Sequence, residues 1–124
     1  MKSLLLCVLT VSLFAAAVFT SNTSAHHSFA VFDFETQIPF EGTVESIKFR
    51  NPHIEMMLKT TDMNGEEQLV HFIEGAPANM LVRSGLRPSM VQPGSRITGY
   101  GSPLISDPTK FFLRKIVLEN GDEY

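Results

Sequence analysis

The chain has 124 residues, with ten Lys+Arg against thirteen Asp+Glu for a net charge of -3, no Trp and a single Cys. That length holds one domain and excludes an eight-fold βα barrel or a dinucleotide-binding fold with a substrate domain. One thiol excludes an intramolecular disulfide, a zinc ribbon and a C-x-x-C redox motif, and the acidic balance argues against a nucleic-acid partner held by counterion release.

The chain opens on Met1-Lys2, and Leu4 to Phe19 then runs without a charge. Thr20-Ser21-Asn22-Thr23-Ser24-Ala25 follows, small and polar. This is the organisation of a secretory signal peptide, with cleavage expected after Ala25, where Ala25 and Thr23 occupy the -1 and -3 positions. The apolar run is shorter than the ~20 residues of a spanning helix, and nothing later is apolar enough, so the mature chain is expected to have no membrane span. Cys7 follows Leu6, where a lipoprotein signal wants a small residue, and leaves with the signal. Residues 1–25 are thus read as a signal peptide and 26–124 as one domain, bound for the periplasm or secreted. A mature chain without cysteine fits a bacterial periplasm better than eukaryotic secretion.

Within 26–124 the first strand is expected over 40–49. Phe40, Gly42 and Val44 alternate, and the phase then changes to Ile47 and Phe49, as a bulge near Glu45-Ser46 would produce. Gly42 inside a strand suggests a bend or a close backbone approach. After Asn51-Pro52, the alternation of Ile54, Met56 and Leu58 with Glu55, Met57 and Lys59 gives a second strand. Asp62-Met63-Asn64-Gly65 is a strong hairpin signal, returning as a third strand over 67–73 with Leu69, His71 and Ile73 on one face and Val70 and Phe72 on the other. Pro77 suits a first helical turn and Gly85 a C-terminal cap, giving a short helix over 77–84. A turn at Pro93-Gly94 leads to a fourth strand over 96–101. Two prolines make 102–109 a loop, and the last strand runs over 110–118 with Phe112, Ile116 and Leu118 on one face. The fold class is therefore all-β with one short helix. The order β-β-β-α-β-β describes a five-stranded, antiparallel barrel like the oligonucleotide/oligosaccharide-binding (OB) fold, although a five-stranded meander with a plug helix that does not close would leave much the same sequence.

Candidate ligands are His26, His27, His53 and Glu74. Cleavage after Ala25 gives His26 a free α-amine beside its imidazole, and an amine with imidazoles suits tetragonal Cu(II). The arrangement resembles the histidine brace of secreted copper proteins. Cleavage one residue earlier leaves His27 in third place, a terminus that also chelates Cu(II). His53 follows Asn51-Pro52 and can complete the set. With Met56 and Met57 it would instead suit Cu(I), as in small periplasmic copper chaperones, although that family's metal-stacking Trp is missing here. Glu74 can ligate, orient an imidazole, or cap the helix. His71 reads as a hydrogen-bonded histidine on a half-buried strand. For a composite site, segment 26–34 must fold back near the second strand, anchored by Phe29, Phe32 and Phe34. No Ser-His triad, nucleophile elbow or phosphate loop is present, so no catalytic residue is assigned and the protein is read as a non-enzyme. Strands two and three carry an acidic rim of Glu55, Glu66 and Glu67, which again argues against nucleic acid.

His26-His27-Ser28-Phe29, Phe32-Asp33, Gly42-Thr43-Val44, Asn51-Pro52-His53, Asn64-Gly65, Glu74-Gly75, Leu81-x-Arg83-x-Gly85 and Pro93-Gly94 occur in that order. The pattern resembles a family of small exported bacterial proteins known only as a domain of unknown function. It covers about residues 26–122, and it departs from the family at Phe49, where Trp is usual, and at His71, where an aromatic is usual. The resemblance implies an exported, barrel-like single domain and no particular activity. The leading expectation is a small periplasmic binding protein for a transition metal such as copper. The alternative is an interaction module for a protein partner or ligand in the cell envelope.

Overall fold

A computed structural model describes residues 29–124. Five strands, β1 (Ile38–Lys48), β2 (Glu55–Thr61), β3 (Glu67–Gly75), β4 (Arg96–Leu104) and β5 (Asp107–Leu118), form a closed barrel in the order β1-β2-β3-β5-β4. One helix, α1 (Ala78–Arg83), lies between β3 and β4. This is the expected OB-like barrel with one correction. The pairing of β3 with β5 is parallel, while every other pairing is antiparallel. The helix-bearing connection brings the chain round to β4, and the β4–β5 hairpin then returns beside β3 in β3's own direction.

β1 can serve both β2 and β4 because it bends. Its pairing with β2 slips between Val44 and Ser46, which leaves Glu45 bulged, as the phase change in the sequence required. Gly42 makes the bend possible, since a Cβ there would lie 2.1 Å from the Lys59 carbonyl oxygen. The β2–β3 hairpin turns at Gly65, whose φ is +83°, and the Asp62 carboxylate accepts the backbone N–H of Asn64 and Glu66.

Inside the barrel, Val44, Met56, Leu58, Val70, Phe72, Ile97, Phe111, Leu113 and Ile116 are buried. Phe72 fits because the facing positions on β4 are Gly99 and Gly101, a large-against-small match that suits a small barrel. Leu81, Leu86 and Val91 join the same core from α1 and the loop behind it. The helix ends as expected. Gly85 (φ +104°) sends its N–H to the Val82 carbonyl, and the Leu86 N–H reaches the Leu81 carbonyl, which satisfies two of the last carbonyls. Leu81 and Leu86 then pack together in the core.

Two expectations about the C-terminal half change. Residues 102–109 are not a loop: β4 runs to Leu104 and β5 starts at Asp107, with Ile105-Ser106 as a two-residue turn. Pro103 and Pro108 occupy the outer end of this hairpin, where a missing N–H breaks no barrel pairing. The inward face of β5 is Phe111, Leu113 and Ile116 rather than Phe112, because the register with β4 slips between Tyr100 and Gly101, bulging Arg114 and shifting the alternation. Phe112 consequently faces outward and is covered by Phe32 and Phe34, each with its ring centroid 5.4 Å from that of Phe112.

Candidate metal-binding pair and its N-terminal strap

The β1–β2 connection carries Asn51-Pro52-His53, and the Asn51–Pro52 peptide is cis. The Asn51 side-chain oxygen accepts the Asn79 N–H at 3.1 Å. Pro77, the residue before α1, makes no side-chain cap, so Asn51 caps the helix from a distant part of the chain. Glu74 was one expected candidate for that role and does not fill it. The cap docks the loop against the end of β3, where the Ile54 N–H also bonds the Ala76 carbonyl at 3.2 Å.

His53 is placed by this docking. Its Nδ1 lies 2.9 Å from the Gly75 carbonyl oxygen. A carbonyl only accepts, so Nδ1 carries the proton, and in the neutral form of the ring the lone pair is at Nε2. Nε2 lies 3.4 Å from Glu74 Oε1. A lone pair facing a carboxylate is repulsive unless a proton or a cation lies between them. Two donors each about 2.1 Å from one ion stand roughly 3.0–3.4 Å apart, from square-planar to tetrahedral geometry, and this pair is spaced in that way. The backbone carbonyl fixing the far nitrogen is the usual orienting contact of a ligating histidine. The side chains of His53 and Glu74 are 38% and 19% exposed, so the pair is sheltered yet open to solvent. His53 is the only ion-pair partner of Glu74 among the described residues.

A second His–carboxylate pair has a different character. His71 Nε2 lies 3.1 Å from Glu55 Oε1, and Lys48 Nζ lies 2.8 Å from Oε2 of the same carboxylate. The Lys48 contact, followed by that of His71, holds the Glu55 carboxyl below its ordinary range. With an ammonium already there, this carboxylate has its counter-charge, and His71 is the hydrogen-bonded strand histidine its position suggested. Met57 pairs across the strands with His71, and Met56 is buried inside the barrel, so the methionine-assisted version of the His53 site does not assemble.

His26 and His27 lie outside the described residues. Phe32 forms a bridge with Leu104, and Asp33 N–H and Ile105 N–H bond the carbonyls of Pro103 (2.9 Å) and Val31 (2.8 Å). This strap lies on the β4–β5 hairpin instead of on β2, which corrects the expected anchor. Of the expected anchors, Phe32 and Phe34 pack on Phe112. Phe112 is in turn the cross-strand partner of Glu74 in the β3–β5 ladder.

No group of three or more His, Cys, Asp or Glu side chains able to hold a metal occurs among the described residues. No helix among them is long and apolar enough to cross a membrane. Three features escaped the sequence: the cross-chain cap by Asn51, the outward turn of Phe112, and the contacts of Arg114 and Ser102 with the strap. Each depends on a bulge or a distant partner that no local spacing encodes.

Fold and site together define a small OB-type barrel with an oriented His–carboxylate pair on its outer face. Residues 14–110 match the model of DUF6152, a family of unknown function, and the chain belongs to that family. No curated protein and no solved structure matches it.

Proposed function

We propose that the protein is an exported, non-catalytic binding protein for a transition metal, with copper the best fit. In this reading, cleavage after Ala25 frees the His26 amine, and His26, His27, His53 and Glu74 share one ion. The observation that carries the reading is the His53–Glu74 pair, whose imidazole Nε2 faces a carboxylate with no other ion-pair partner among the described residues, at a separation suited to two ligands of one ion. A donor set rich in nitrogen favours Cu(II) among the available divalent ions.

The test is intact mass and copper stoichiometry on protein purified from the exported fraction, with His26→Ala and His53→Ala beside wild type. The expected result is a chain starting at His26 that holds one copper, with binding weakened in both variants. A chain starting at His26 that retains no copper would sink the reading.

One observation favours a second reading, an interaction module for an envelope protein. Ile105, 64% exposed, lines a shallow apolar depression with Phe32, Leu104 and Pro108 between the strap and the β4–β5 turn. On that reading, alanine at His26, His27 and His53 leaves partner capture from the same compartment unchanged, while Ile105→Ser abolishes it.

A further inference from the structure

The β3–β5 ladder stops at the pair Gly75–Leu113, and β5 runs on to Leu118 without β3 beside it. The chain after β5 turns at Gly121 (φ +89°) and comes back along that strand. The Tyr124 N–H and carbonyl each bond Ile116 at 2.9 Å, and Glu123 meets Lys115 at 3.1 Å. The Tyr124 ring reaches the end of α1, since a Cβ on Gly85 would stand 3.6 Å from it. A helix of six residues does not fill the space between the end of β3 and this returning segment. A cavity of about 230 Å³ is left, walled by Ile54, Ala76, Leu81, Leu113, Ile116 and Tyr124. Met80 and Ser84, both exposed, stand on its α1 side. The charged residues in the lining are Arg114 and Lys115, and no carboxylate lines it. Lys115 has Glu123 as its counter-charge. Arg114 has no acidic partner among the described residues. Its Nη1 donates to two neutral oxygens, the Phe34 carbonyl and Ser102 Oγ, each at 3.3 Å.

We propose that this cavity binds a small apolar carboxylic acid, one aromatic ring or a short acyl chain in size, with its acid group on Arg114. Volume sets the size. An apolar cavity of about 150 Å³ holds one benzene molecule, so this one has room for a ring and a carboxyl group. An α-helix of a protein partner, roughly 10 Å across, does not enter it. The lining sets the chemistry. Its aliphatic walls favour an apolar body, which gains by leaving water. Its charge is cationic and only half neutralised, which favours an anionic end. Arg114 Nε and Nη2 have no hydrogen-bond partner among the described residues, and a guanidinium edge matches a carboxylate with two parallel bonds. The site shares no residue with the His53–Glu74 pair, so it stands or falls apart from the metal reading.

The test titrates benzoate into the purified protein at neutral pH and, separately, benzyl alcohol, an uncharged molecule of nearly the same size. The methyl resonances of Met80, Leu81 and Ile116 are followed by nuclear magnetic resonance. The variants are Ala76→Leu, which fills the cavity from its wall, Ser84→Leu, which covers it from the exposed side, and Arg114→Gln. Circular dichroism melts verify that each is folded. The expected result is a saturable shift of the three methyls with benzoate, abolished in Ala76→Leu and Ser84→Leu. Arg114→Gln is expected to weaken benzoate about tenfold and to leave benzyl alcohol unchanged. Absence of a saturable shift with benzoate would overturn the site. A shift that persists in both leucine variants would do the same, because the probe would then sit elsewhere. Equal affinity for benzoate and benzyl alcohol in wild type would overturn the recognition of an acid.

Discussion

Thr60 is buried in β2, and its hydroxyl has no hydrogen-bond partner among the described residues. It lies where β1 crosses closest, beside Gly42, so a side chain of this size is needed but its polarity is not. Valine has nearly the same shape without the hydroxyl, and removing a buried unsatisfied donor recovers its desolvation cost. Thr60→Val is expected to raise stability by about 1 kcal/mol, read as a higher urea midpoint with an unchanged slope. The buried Ser102, also on a strand, is the contrasting case: its hydroxyl donates to Thr36 and accepts from Arg114. Two buried hydroxyls in one barrel thus have opposite consequences, decided by whether a strap lies across them.

The β4–β5 hairpin turns on Asp107. Hydrogen bonds from the Thr109 hydroxyl, then from Lys110 and the Thr109 N–H, pull its carboxyl down to about 2. Because the folded value lies below the ordinary 3.8, the contribution to stability is complete above that value and is lost as pH falls through about 2. The side chain is exposed, so the effect is modest. Asp107→Asn is expected to flatten the acid limb of a plot of denaturation midpoint against pH, between about pH 4 and pH 2, while leaving the neutral plateau nearly parallel to wild type. At this scale the sequence is legible wherever the signal is local. The Glu45 bulge, the Asn64-Gly65 turn and the Gly85 helix end each stem from a few adjacent residues. The parallel β3–β5 ladder and the inward face of β5 were not legible, because a bulge at Arg114 reverses an alternation that reads correctly on either side of it. The candidate site was legible as a list, with His53 and Glu74 brought together as a pair. What joins them is the Asn51 cap on Asn79, a contact between residues 28 apart that has no sequence signature.

Taken whole, the molecule is a closed barrel with the His53–Glu74 pair at the end of β3, and on the proposed reading that pair shares an ion with the terminus. An ion bound by both would stabilise the native state over the unfolded chain by mass action. Copper at about one hundred times its dissociation constant is expected to add about 2.7 kcal/mol to unfolding, in wild type and not in His53→Ala, as read by denaturant titration with and without the metal. The order of the strands has a separate consequence, for the timing of folding. β5 is the one strand that meets both β3 and β4, so a growing chain that has not yet reached residue 118 has two unsealed seams and no barrel to fall into. Closure is a long-range event that waits for the final strand, and slow for that reason. Until synthesis passes that point the core of the barrel has no wall between β3 and β4.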